Sequence, residues 1–430
     1  MGGDMLVALS RATQDGGTLF GHNCNRPAGE DVILLRVEGR GFAPGESVQT
    51  DAVALPQARR TWTVLAGRCP RQWGYQHGIN EHGVSIGLTT IRTKRRETAA
   101  ALTGPDLVRL GLERAASARQ AVDVMTDLAR RHEQRSSEGE VDPAFLIADG
   151  REAFVVEMFG THWAVQRVGE VRAVSDVCHL RQDWDHLSHG LADLAIERGW
   201  WPADGSKLDF AGAVAQRDEQ DRFSMRRWGR ATLLLERFNG RIDHSLFRRV
   251  LGDHFEGCAG EVEFTSSPLA ESAATLCRHG ATPGSMRTAA SLITQTSSAD
   301  ALPIAWYSFG PPCANVYFPL FLVGELPLEF RRESSVGNRR LREASSDNPK
   351  RQAALARLQD RIDQETREFV AEADALRQRG EGDRLGRLAE LFMQHTLECW
   401  DNVDREFAPV ERRAGQARAE EELVASEAWS

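Results

Sequence analysis

Residues 6–9, 18–20, 32–37 and 61–65 are short apolar or alternating runs set off by Gly, Asp and Pro, a pattern that predicts β-strands. Residues 73–91 carry Gly74, Gly78, Gly83 and Gly87 and read as paired strands joined by a tight turn. Two helices are expected next. Pro105 suits the first turn of one, with Leu107, Leu110 and Leu112 as apolar positions. Ser117 and Gln120 make a capping-box pattern for the other, whose face includes Val122, Met125 and Leu128. Strands return at 145–148, 153–158, 162–165 and 171–174. Helices follow over 187–196, 231–238 and 245–251, the last behind an Asp243 cap, with further strands at 291–294 and 304–309.

Residues 331–351, with Ser pairs, Gly337 and Asn348-Pro349, are expected to form an exposed linker after a domain spanning 1–330. Beyond it, 353–376 and 385–407 predict two long amphipathic helices parted by Gly380 and Gly382, within an extension over 352–430 whose acidic tail frays. This helix pair either packs back on its own subunit or makes a homo-oligomer contact. The element order is that of an α+β protein with helices covering antiparallel sheets. Periodicity alone does not separate a two-layer arrangement from a four-layer αββα sandwich.

Composition narrows the function classes. A hydrophobic fraction of 41% with 27% charged residues among 430 is that of a globular chain, not a disordered one. With 53 basic and 62 acidic residues, a net charge of −9 argues against nucleic-acid binding. No apolar run approaches the ~18 residues of a membrane span, and no basic flank precedes the first apolar run as in a secretory signal. Seven cysteines, odd in number and without a C-x-x-C pair, suit free thiols in a reducing cytoplasm. A cytoplasmic protein with no nucleic-acid or membrane partner is expected.

No G-x-G-x-x-G or Walker sequence is present. Cys178, His179, Asp183, His186 and His189 crowd one short segment, and His186 and His189 would share a helix face. Their spacing matches no standard zinc site, so a solvated polar face is expected, with no metal and no cofactor.

Six segments carry a stronger signal as an ordered set. Gly3-Asp4-Met5-Leu6-Val7-Ala8-Leu9 opens the chain, and Phe20-Gly21-His22-Asn23-Cys24-Asn25-Arg26-Pro27 follows. Next come Trp73-Gly74 with Asn80-Glu81-His82-Gly83-Val84, then Leu107-Val108-Arg109-Leu110-Gly111-Leu112-Glu113-Arg114. Phe145-Leu146-Ile147-Ala148-Asp149 and the helix over 391–407 complete the series. Together they resemble the secernin and dipeptidase family of cysteine N-terminal-nucleophile (Ntn) hydrolases, across nearly the whole chain. The resemblance implies a four-layer αββα Ntn sandwich, with the C-terminal helices as an extension. It also implies hydrolysis of an amide bond, typically in a dipeptide. In that chemistry a terminal side chain attacks while its own α-amine takes the proton, and nearby donors hold the oxyanion.

The catalytic set departs from the family pattern. By the resemblance, the nucleophilic Cys falls on Gly3, the cationic Lys or Arg on His22, and the following carboxylate on Asn25. Asn80 would be an oxyanion-hole amide. Asp176 would stand for an Asn found in the related bile-salt hydrolases, with Cys24 and Arg26 beside the ligand. Loss of the nucleophile removes covalent catalysis, because such a set acts as a unit. The expectation is a non-hydrolytic homologue that binds a small peptide, an amino-acid derivative or a protein partner in the old cleft. The alternative is an amide hydrolase with relocated chemistry, in which Cys24 attacks and His22, two residues away on the same side of an extended segment, is the base.

Overall fold

Strands from both halves of the chain interleave in two antiparallel sheets. A computed structural model describes residues 2–95, 102–132, 141–219, 221–256, 274–280, 282, 285–297, 302–331, 341 and 348–407. The first sheet runs β12 (Val171–Val174), β1 (Gly2–Ala8), β2 (Thr18–Pro27), β14 (Met286–Thr296), β15 (Ile304–Phe309) and β16 (Phe318–Phe321). The second runs β13 (His186–Leu187), β11 (His162–Arg167), β10 (Ala153–Phe159), β9 (Val141–Ala148), β8 (Ser85–Arg92), β7 (His77–Asn80), β6 (Val64–Arg68) and β3 (Ile33–Val37). The two sheets pack face to face, chiefly β1 and β2 on β8 and β9. At Gly87 the approach is close: a Cβ there would lie 2.9 Å from Phe20 and 3.0 Å from the Met5 sulfur. Only a residue without a side chain fits.

Helices cover both outer faces. α1 (Gly104–Arg114) and α2 (Ala118–Arg131) lie on the second sheet, against β7–β10. α5 (Asp221–Arg237) and α6 (His244–Leu251) lie on the first, against β1, β2, β12 and β14. This is the four-layer αββα sandwich. It explains why β1 is buried at every position: one face meets the other sheet and the other meets helices. α6 shows the matching amphipathic pattern, burying Leu246, Phe247, Val250 and Leu251 behind the Asp243 cap, whose carboxylate accepts the Leu246 N–H at 2.7 Å.

The C-terminal helices α8 (Pro349–Gln378) and α9 (Gly382–Phe407) form a hairpin packed on β16 (the short α3, α4 and α7 cover 191–197, 210–214 and 328–331). Phe369 and Phe392 stack at 4.8 Å beside Phe321, and Trp400 is fully buried, so the pair shares the core of the first sheet. Among the described residues no helix is long and apolar enough to cross a membrane. Most of the linker expected at 331–351, and all of the 417–430 tail, lie outside the described residues.

Two local expectations are corrected. Ser117 does cap α2, but the Gln120 side chain accepts the Ala116 N–H and so does not close a box on Ser117. The reciprocal capping box sits at Thr103 and Asp106 on α1. The helix expected over 187–196 starts only at Leu191, because His186–Leu187 pairs with β11 and Gly190 takes a left-handed φ of 81°.

Candidate functional site

Residue 3 lies inside β1, paired with Cys24 of β2. Its N–H, a peptide nitrogen because Gly2 precedes it, is shared between Asp176 Oδ1 at 2.7 Å and Thr89 Oγ1 at 3.0 Å. The space that a side chain would need is taken. A Cβ on Gly3 would fall 2.5 Å from His22 Nε2, 2.9 Å from the Leu88 carbonyl and 3.1 Å from the Asn23 carbonyl. The imidazole of His22 thus stands where the nucleophile of the resembled family would project.

Behind Gly3 two carboxylates and two guanidiniums interlock. Asp176 accepts from Thr89 Oγ1 at 2.6 Å, Arg227 Nη2 at 2.7 Å and Arg278 Nη2 at 3.1 Å. Asp4 accepts from Ser175 Oγ at 2.7 Å, Arg227 Nε at 2.9 Å and Asn25 Nδ2 at 3.1 Å. Burial opposes ionisation of Asp176, but Arg227, Arg278, Thr89 and the Gly3 N–H outweigh it and hold its carboxyl below the ordinary range. Asp176 is also the most open member, its side chain 18% exposed against 1% for Asp4 and Arg227. Thr89, Arg227 and Arg278 carry no signal in the sequence: each is an ordinary residue of a strand, a helix or a connection.

The expected site residues divide between the two faces of β2. His22 faces the inter-sheet core, where its Nδ1 meets His77 Nδ1 at 2.8 Å and His77 Nε2 lies 3.4 Å from the Tyr307 hydroxyl. Burial drives the His22 pKa down to about 3, so the ring is neutral and supplies no cation. Its Nε2 points toward residue 3, on the side of the Leu88 carbonyl. Asn25 sits on the helix-facing side, where a bulge in β14 lets its Oδ1 accept from Thr288 Oγ1 at 2.8 Å. Cys24 is buried and burial pushes its thiol far above the usual range, while neither nitrogen of His22 bonds it. Arg26, at the end of β2, is held by Glu30 at 2.9 Å.

Asn80 has a structural task. Its amide donates to the Leu112 and Ala115 carbonyls at 2.9 and 2.7 Å, closing the end of α1. Its oxygen accepts from the His82 and Val84 N–H groups in the β7–β8 hairpin. No N–H of that amide is left for an oxyanion.

The 175–180 segment that carries Asp176 is pinned by Glu157 of β10, which accepts the His179 and Leu180 N–H groups at 2.6 and 3.2 Å. His179 Nε2 in turn accepts the Ser175 N–H at 3.0 Å. His186 lies in β13, not on a helix, and among the described residues Cys178, His179, Asp183, His186 and His189 do not gather as metal ligands. Burial pushes the Glu157 pKa up to about 7 against the two N–H bonds that favour its charge. The folded chain therefore keeps a proton that the unfolded chain releases near its ordinary pKa of about 4.3. Stability should fall as pH rises between these values, by on the order of 3 kcal/mol, and level off above. Urea midpoints across that range should show the decline in the parent and a flatter profile in Glu157→Gln.

A cavity of about 1020 Å³ opens elsewhere, between α5, α6 and α8, lined by Arg230, Asp253, Tyr317 and Gln359 among others.

Several solved structures are similar to this chain at low sequence identity. A conjugated bile acid hydrolase from Clostridium perfringens is 12% identical, covering 74% of this chain and 92% of its own at a TM-score of 0.40. A penicillin V acylase from Agrobacterium tumefaciens is 10% identical over 74% and 86%, at 0.39. The Caenorhabditis elegans N-acylethanolamine-hydrolyzing acid amidase ortholog is 11% identical over 67% and 91%, at 0.34. Residues 75–245, from just before β7 to the start of α6, match the model of Peptidase family C69.

Proposed function

We propose that this chain is a non-hydrolytic member of the C69 family that binds a small peptide or amino-acid derivative beside Gly3. The observation that carries this reading is the occupied side-chain position at residue 3, where a Cβ would stand 2.5 Å from His22 Nε2. Covalent amide hydrolysis needs a nucleophile, a base and an oriented oxyanion site together. Here residue 3 has no side chain and Asn80 has no free N–H. Relocation to Cys24 finds no support, since that thiol is buried, protonated and unaided by His22. Asp176, partly exposed and charged, is the group suited to accept a ligand's ammonium or amide N–H.

Purified protein should release no amino acid from dipeptides or N-acyl amino acids above the rate without protein. Calorimetric titration with the same compounds should show saturable binding that Asp176→Asn weakens. Turnover at ordinary enzymic rates of ~1–10³ per second would overturn the non-hydrolytic assignment. Binding unaffected by Asp176→Asn would overturn the placement of the ligand.

A further inference from the structure

Four soft donors from three separate segments converge away from the Gly3 position. His254 follows α6, Cys277 and His279 precede β14, and Cys313 lies in the short 3-10 turn Pro312–Ala314 after β15. His254 Nε2 is 3.3 Å from His279 Nε2, and the two sulfurs are 3.6 Å apart. His279 Nε2 lies 3.3 Å from Cys277 Sγ and 3.1 Å from Cys313 Sγ, and all four donor atoms fall within 4.8 Å of one another. A tetrahedral zinc, with Zn–S of about 2.3 Å and Zn–N of about 2.0 Å, places neighbouring donors about 3.3–3.8 Å apart. A thiol–imidazole hydrogen bond needs one pair of groups; here four donors surround one point. His254 also presents its other nitrogen, Nδ1, to Glu256 Oε1 at 3.0 Å. That is the outer carboxylate which fixes the tautomer of a ligating imidazole.

We propose that His254, Cys277, His279 and Cys313 form a structural Cys₂His₂ zinc site. Two thiolates and two imidazoles suit Zn²⁺ and not the oxygen-seeking Mg²⁺ or Ca²⁺. Four protein ligands close the coordination sphere, which marks a structural centre. On binding, each thiol gives its proton to solvent, and two thiolates neutralise the charge of the ion. The centre ties the end of α6 to the start of β14 and to the turn after β15. Arg278 lies between two of the ligands, and in an extended segment its side chain points the opposite way from theirs, reaching Asp176 at 3.1 Å. The metal thereby positions one of the two guanidiniums behind Gly3.

The test is metal content of the full chain, purified under reducing conditions without chelator and then incubated with zinc chloride and desalted. Mass spectrometric metal analysis should find about one zinc per chain. Cobalt substituted for zinc should give the intense visible bands of a tetrahedral site and near-ultraviolet thiolate charge transfer. Cys277→Ser with Cys313→Ser should abolish stoichiometric binding, and Cys399→Ser should leave it unchanged. If the double variant does not fold, Glu256→Gln serves instead, with zinc affinity expected to weaken about tenfold or more. A zinc-free parent after incubation, an octahedral cobalt spectrum, or a Cys277–Cys313 disulfide as the resting state would each refute the site. None of these readouts depends on whether a peptide binds beside Gly3.

Discussion

Arg227→Met should cost the fold about 3–5 kcal/mol, the largest loss expected from any one change near Gly3. Arg227 is 1% exposed and bridges Asp4 and Asp176 through Nε and Nη2. Removing it leaves Asp4 buried with only neutral donors, Ser175 and Asn25, and leaves Asp176 with Arg278 as its ion-pair partner. An uncompensated buried carboxylate is what makes breaking such a pair expensive, whereas the intact pair itself adds little. Chemical denaturation of Arg227→Met, Asp4→Asn and the double variant would close a thermodynamic cycle. The double variant should be less damaged than the two single losses added together, since Asn at position 4 carries no charge to be stranded. A loss below about 1 kcal/mol in Arg227→Met would mean that the guanidinium is not carrying the network.

Gly3→Cys should destabilise the protein by about 1–3 kcal/mol and restore no hydrolysis. The new Cβ meets the His22 ring at 2.5 Å and the Leu88 carbonyl at 2.9 Å, so the imidazole must swing out of its contact with His77. Adding His22→Ala should recover part of the loss but not all of it, because the Leu88 carbonyl belongs to the backbone of β8 and cannot move aside cheaply. Thermal melts of the two variants decide this, and a stability gain in Gly3→Cys would contradict the packing described for residue 3. Activity is expected to stay absent even in the pair. Asn25 remains uncharged and bonded to Asp4 and Thr288, and the nitrogen of residue 3 remains a peptide N–H unless Met1 and Gly2 are first removed. Appreciable amide hydrolysis from Gly3→Cys alone would identify the chain as a hydrolase disabled at one position.

Elements whose cause is local were readable from residue order. Residues 171–174 and 304–309 were expected as strands and are β12 and β15 to the residue, because each is a short apolar run with punctuation on both sides. Asp243 caps α6 as its side chain and position imply. The four layers were implied only through the family that the six ordered motifs resemble, since periodicity alone left two and four layers open. Local reasoning failed where a partner from elsewhere overrode it. His186–Leu187 became a strand because β11 offered an open edge, and Asn80 was drawn into closing α1.

The chemistry of the site was less legible, for a physical reason. Thr89, Arg227 and Arg278 reach Asp176 from 87, 51 and 102 residues away, and no periodicity or short motif encodes contacts at such separations. The same holds for His254, Cys277, His279 and Cys313, whose donors meet only after α6, β14 and β15 are stacked. Residue order alone showed that position 3 lacks a side chain. That a neutral imidazole fills the vacated volume followed from pairing β1 with β2 and pressing both against β8, where His22 and Gly3 share one face.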